Sequence, residues 1–258
     1  MKKVFLVVVS LVGCGSAIAD SCPPSMLEVC DYTRGTFYHL DNQLGFNVLG
    51  VYDQATLTNS QQSVSAGGLG AEAYWDFLTT NSFWFSNKVD YVTYLGASDF
   101  ATDQANYTFK FGYGFQPIYD YWQITPYVVG SVGAGQENWD SNVNFGAGVG
   151  LRTQVALVTR NSIYADYNVQ YLMANGNFSD AYNQQFGTDN AFLNGKPYVQ
   201  NFELGYKHVF SCNLNMQAFY RYTNNNMNFS FGGTAPDQAY NNAINMIGIG
   251  LSWYMGGS

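Results

Sequence analysis

Segments of 10–14 residues that alternate apolar and polar, connections that alternate short and long, and a composition rich in aromatics and poor in charge predict an all-β chain. The architecture they predict is a transmembrane antiparallel up-and-down β-barrel of about ten strands, with roughly eight to twelve as the range. Aromatic residues make up 17% of the 258 and charged residues 11%, whereas about a quarter of an ordinary soluble domain is charged. Such a chain would be sticky in water and suits a surface that touches lipid. No run of about 20 apolar residues occurs, so no membrane-spanning helix is expected.

The N-terminus reads as an export signal over residues 1–19. Lys2 and Lys3 are basic, 4–12 is apolar but too short to span a membrane, and Ala17-Ile18-Ala19 is a small-x-small cleavage site. Leu11-Val12-Gly13-Cys14 also matches a lipobox, in which Cys14 would carry a lipid. Cleavage after Ala19 is preferred, because an integral barrel needs no lipid anchor. Residues 20–42 then form a periplasmic segment and 43–258 the barrel. Of the 10 Lys and Arg, loss of Lys2 and Lys3 leaves eight, against all 18 Asp and Glu. That acidic balance excludes nucleic acid as a partner. Export implies an oxidising compartment, and Cys22 and Cys30 bracket a short stretch that reads as a disulfide loop, leaving Cys212 as the odd cysteine. No His or Cys cluster has ligand spacing, so neither a metal nor a cofactor is expected.

The expected strands are 43–56, 64–78, 82–96, 106–118, 123–136, 142–157, 162–173, 198–210, 215–224 and 243–255. Short connections fall near 79–81, 119–122, 158–161 and 211–214. Long ones cover 57–63, 97–105, 137–141, 174–197 and 225–242. Short turns on one side and long loops on the other place both termini in the periplasm. The two longest connections, around FSDAYNQQF and MNFSFGG, are where two further strands would hide if the count were twelve.

The faces sort by parity. One face carries Leu44, Phe46, Val48 and Tyr52, then Leu69, Trp75 and Phe77, then Tyr107 to Phe115 in alternation, and Ile247, Ile249, Leu251 and Trp253. The other carries Glu72, Asp76, Lys88, Asp90, Lys110, Arg152, Asp166, Glu203, Lys207 and Arg221. The stretch YVQNFELGYKHVF at 198–210 shows both, with Phe202, Leu204 and Tyr206 opposite Glu203 and Lys207. The long loops hold Asp99, Asp103, Glu137, Asp140, Asp180, Asp189 and Asp237 against Lys196. Balanced charges on strands and acid in loops fit a lumen closed by ion pairs, since an unpaired charge inside costs several kcal/mol. Glycines at 112, 114, 146–150 and 248–250 share the inward parity and would leave room for long neighbours or a narrow passage. Trp75, Trp84, Tyr119, Tyr121, Trp122, Trp253 and Tyr254 gather near the short turns as an interfacial girdle.

With these features the chain, over about 43–255, resembles the outer-membrane β-barrel proteins of Gram-negative bacteria. Gly248-Ile-Gly-Leu251-Ser-Trp253-Tyr254 resembles the C-terminal signal read by the barrel-assembly machinery, although Met-Gly-Gly-Ser follows the aromatic where most members end on phenylalanine. The Cys22–Cys30 segment resembles the porin-like major outer-membrane proteins of the Legionella and Chlamydia type. The resemblance implies outer-membrane lipid and lipopolysaccharide as surroundings.

Catalysis is not expected. His39 precedes the first strand and His208 lies near a short turn, so neither stands at the outer mouth where barrel hydrolases work. The lumen carboxylates have bases beside them, which argues against a glycosidase pair. Asp180, Asp189 and Asn224–Asn228 offer oxygen ligands for calcium, but read more simply as solvated loop. Two functions remain: a structural and surface-contact barrel with a narrow or closed lumen, meeting host ligands through acidic loops, or a porin-like channel for small solutes. Ten strands lie near the closed end of the size range.

Overall fold

The computed structural model describes residues 36–57, 62–95, 103–137, 140–158, 160–174, 191–211, 213–231 and 238–255. Its elements are α1 (Thr36–Leu40), β1 (Gln43–Leu57), β2 (Gln62–Leu78), β3 (Phe83–Leu95), β4 (Asp103–Tyr113), β5 (Phe115–Ile118), β6 (Trp122–Glu137), β7 (Asp140–Val158), β8 (Asn161–Ala174), β9 (Ala191–Val209), β10 (Leu214–Phe231) and β11 (Gln238–Tyr254). Every neighbouring pair is antiparallel and sequential, β1 pairs with β11, and β4 pairs with β6 across the last seam. The sheet therefore closes. The expected strand 106–118 is broken at Gly114 into β4 and β5, which act as one stave, so the ring has ten positions.

Of the two segments that could have concealed extra strands, FSDAYNQQF lies outside the described residues, and MNFSFGG lengthens an existing strand instead. β10 runs on to Phe231, and β11 starts at Gln238. The Cys22–Cys30 loop, the export signal, Cys14 and Cys212 lie outside the described residues.

The turns at the end that carries α1 and the last residue of β11 are tight. Ser82 and Asp120 there adopt positive φ, 67° and 58°. Ser82 N donates to Thr79 O at 3.0 Å, closing the β2–β3 turn. Asp tolerates the left-handed region better than most residues, and Asp120 also uses its carboxylate, as described below.

The side chains divide as the parity predicts. Phe46, Val48, Leu69, Val149 and Leu204 are exposed at 57%, 67%, 60%, 65% and 46%. Glu72, Asp166, Glu203 and Lys207 are buried at 1%, 4%, 5% and 1%. Apolar outside and charged inside is the reverse of a soluble sandwich, and it is the exterior of a membrane-spanning barrel. In the stretch 198–210, Phe202 and Leu204 face out and Glu203 and Lys207 face in. Trp75, Tyr119, Tyr121 and Trp253 are exposed at the turn end, as a girdle requires. Trp84 is not part of it. It shares parity with Ser86, Lys88 and Asp90, and is 2% exposed inside the bore.

The inward glycines do not line a passage. Each of four sits directly opposite an inward aromatic ring on the adjacent strand: Gly45 opposite Tyr74, Gly150 opposite Tyr127, Gly205 opposite Tyr164 and Gly248 opposite Phe219. At each, a Cβ would fall well inside van der Waals contact with the ring. The missing side chain is what lets the ring lie flat against the wall. Cross-strand pairing of an aromatic with glycine is a known device for pinning sheet register.

Candidate functional site

The interior charges form three linked groups along the bore. At the turn end, Arg152 donates from Nη2 to Asp41 Oδ1 at 2.9 Å and from Nη1 to Asp41 Oδ2 at 3.2 Å. Lys207 Nζ donates to the same Asp41 Oδ1 at 3.0 Å, to Leu40 O at 3.0 Å and to Asp76 Oδ2 at 3.3 Å. In the middle, Arg221 reaches Glu72 Oε2 at 2.6 Å and Glu203 Oε2 at 2.8 Å, with Asp90 Oδ1 at 3.9 Å. Lys88 Nζ donates to Glu203 Oε1 at 3.0 Å. To one side, Lys110 Nζ donates to Asp166 Oδ2 at 2.7 Å, and Tyr127 Oη donates to the other oxygen of Asp166. Asn47 and Asn106 donate to Glu72 and Asp90, both at 2.8 Å.

Arg221 and Glu203 pair along the wall, as register neighbours on β10 and β9, whereas Lys88 and Glu203 cross the bore. From β3 the ring passes through β2, β1, β11 and β10 to β9, and the other way through β4, β6, β7 and β8 to β9. Lys88 on β3 and Glu203 on β9 are thus diametrically opposite, yet their charged atoms are 3.0 Å apart. Arg221 on β10 reaches past β11 and β1 to Glu72 on β2. Only long side chains can do this in a ring of ten strands, where eight would already be nearly filled by side chains.

The glycine-seated rings complete the filling. Tyr164 Oη donates to Glu203 Oε1 at 2.8 Å and accepts from Gln217 Nε2 at 3.0 Å. The Arg152 guanidinium lies between the Trp84 and Tyr164 rings, 4.9 and 5.1 Å from their centroids. Lys110 stands 5.0 Å from the Tyr127 centroid, and Arg221 4.9 Å from that of Phe219. Cations over aromatic faces recover part of the solvation lost on burial.

All ten charged residues singled out in the sequence lie in this interior and each has an oppositely charged partner. Their partners are less legible. Arg152 is the register neighbour of Asp166, but Asp166 is taken by Lys110, and Arg152 turns to Asp41. Asp41 and the helix before it are the main residues that sequence reasoning missed. In the described part of the 20–42 segment, α1 enters the turn end as a plug. Phe37 and Leu40 are 0% and 1% exposed and pack with Leu78, Trp84, Ala156 and Val209. Asn42 exchanges hydrogen bonds with the backbone of Leu78, at 3.0 and 3.2 Å. Thr36 donates from N and Oγ1 to the Asp120 carboxylate.

Also missed is an apolar patch in the loop-end half of the bore. Leu49, Val51, Ala66, Val92, Tyr94, Phe219 and Met246 pack there, on the β1–β3 and β10–β11 side. Beyond them Asp53, fully buried, meets no base among the described residues. Among the described residues no group of three or more His, Cys, Asp or Glu is placed to hold a metal ion. His208 is buried near the turn end, its Nδ1 2.7 Å from Asn161 Oδ1.

The plug carries two titratable groups outside the strands. Burial pushes the Asp41 carboxyl up, but Arg152 and Lys207 outweigh it and hold it below the ordinary carboxylate range. Burial pushes the His39 imidazole down to about 4, with its ring 4.2 Å from that of Tyr254. Both shifts favour the docked plug at neutral pH. For His39 that stabilisation is complete above about 6.5, its unperturbed value, and is lost as pH falls toward 4, because the undocked imidazole binds the proton first. The hydrogen-exchange protection of the amides of Phe37–Asp41, measured against their intrinsic rates, is therefore expected to fall between pH 7 and pH 5. His39→Gln is expected to remove that fall. Unchanged protection over this range would contradict it.

No protein-family model and no curated protein matches the sequence. Solved structures match in shape alone. The KdgM porin is similar at 11% identity and TM-score 0.35, over 81% of this chain and 99% of that one. The NanC porin is similar at 9% and 0.38, over 79% and 98%. The outer-membrane protease OmpT from Escherichia coli is similar at 6% and 0.41, over 83% and 97%.

Proposed function

We propose that the chain is an outer-membrane β-barrel whose bore is sealed by its own charged side chains, a non-enzymatic structural and surface-contact protein. The observation that carries this reading is the Lys88–Glu203 pair. A contact of 3.0 Å between strands opposite one another in the ring lays charged side chains across the axis at that level and supports a closed bore. Arg221 bridging to Glu72 thickens the same barrier, and α1 stoppers the turn end. The exposed apolar exterior supports residence in lipid, with the short turns and both termini on the periplasmic side and the long acidic loops at the surface. Lipopolysaccharide and the barrel-assembly machinery are the partners this reading implies, and the loops are where a host ligand would be met.

The alternative, a porin-like channel for small solutes, needs the cross-bore pairs to part. Conductance of the refolded protein in a planar bilayer separates the two. Wild type is expected to pass no steady current, and Lys88→Met combined with Glu203→Gln is expected to leak, because the shorter uncharged pair no longer bridges. Steady, ion-selective current through wild type would overturn the sealed reading in favour of the channel.

A further inference from the structure

We propose that Arg152 and Lys207 form a carboxylate-binding site of the barrel wall that Asp41 fills in cis, and that a free small carboxylate can occupy it when the Asp41 carboxylate is absent. The contact set is that of carboxylate recognition rather than of a single ion pair. Two guanidinium nitrogens meet the two oxygens of one carboxylate at 3.2 and 2.9 Å, and an ammonium meets one of them at 3.0 Å. A fork on a fork, with a third donor, is the strong form of such a contact.

The site is built by the barrel, not by the plug. Arg152 is held between the Trp84 and Tyr164 rings, and its Nη2 also donates to Gln154 Oε1 at 2.6 Å. Those three groups come from β3, β8 and β7. Gln154 is fixed in turn by Ser162 at 3.0 Å. Withdrawal of α1 would leave the guanidinium in place and pointing at the vacated position. Among the described residues, Asp41 is the one acid in ion-pair contact with Arg152, although the charge of Asp76 also reaches it. Asp76 is held by Lys207 at 3.3 Å, and Asp166 by Lys110 and Tyr127. Removing Asp41 alone would therefore leave Arg152 buried with no acid in direct contact among the described residues, a cost that favours taking up an anion.

The inference goes beyond the sealed-bore reading and does not need it, since the site lies at the turn end, and conductance would report on the seal separately. The test uses Asp41→Ala and formate. The refolded variant is expected to lose its compact form in the SDS gel mobility assay at a lower temperature than wild type. Sodium formate or acetate is expected to restore most of that loss, with a half-maximal effect at roughly millimolar concentration, as suits one forked contact with an added ammonium. Sodium chloride at equal ionic strength should not restore it, wild type should not respond, and Asp41→Ala with Arg152→Gln should not respond. Formate acting no better than chloride on Asp41→Ala, or equally well when Arg152 is also replaced, would overturn the proposal. Should Asp41→Ala fail to refold, the isosteric Asp41→Asn serves, read by line broadening of ¹³C-formate. Broadening that is absent, or that survives Arg152→Gln, would count against the site in the same way.

Discussion

Glu203→Ala is expected to destabilise the barrel by about 3–5 kcal/mol, the cost of stripping an acid from a buried network and leaving its bases behind. Glu203 accepts from Lys88, Arg221 and Tyr164 at once. Arg221 would keep Glu72, but Lys88 would keep no acid within ion-pair distance among the described residues. Urea unfolding in lipid vesicles, followed by tryptophan emission, measures the change. Glu203→Leu combined with Lys88→Met is expected to recover much of the loss, because burying an ion pair gains little over an apolar pair of similar volume, whereas breaking one is expensive. If the single and double variants unfold at the same urea concentration, Lys88 is not stranded in the way the geometry implies.

The second large effect concerns glycine. Gly205→Ala is expected to cost about 1–3 kcal/mol, the usual range for overpacking a filled core. The new methyl would strike the Tyr164 ring and push its hydroxyl off Glu203. Gly50 and Gly67, on the outward face, have no atom within 4 Å of the position a Cβ would take. Alanine at either should be neutral or stabilising by about 0.5–1 kcal/mol, since glycine is costly to order in a strand. The same urea series decides it. Equal effects at Gly205 and Gly50 would mean that the glycines matter for backbone freedom and not as seats for rings.

The difference between these glycines shows what the sequence could and could not convey. Strand positions and faces were legible because parity is local: Phe202, Glu203 and Leu204 announce in and out within three residues. The ten interior charges followed from the same parity. Their partners did not, because Lys88 and Glu203 are 115 residues apart and meet only once ring size and stagger are set. The role of the inward glycines needed register, which tells that Gly205 faces Tyr164, and register depends on turn geometry at positions such as Ser82. Trp84 was a different kind of miss. Its parity with Lys88 already placed it inside, but its nearness to a short turn suggested the girdle. Asp41 was hidden by arithmetic. Five acids and five bases on the strands balanced, so nothing asked for another acid, and five helical residues give no periodicity to read.

The plug has a bearing on the order of events during assembly. Its anchors, Arg152, Asp120 and Lys207, lie 111, 84 and 166 residues beyond their partners at Asp41 and Thr36. During N-to-C synthesis, the apolar partners of α1 at Leu78 and Trp84 therefore appear early, but its charged anchors are complete only once β9 has followed. Docking of α1 thus marks completion: a barrel with its helix seated is one in which β9, and with it the far wall, has already found its place.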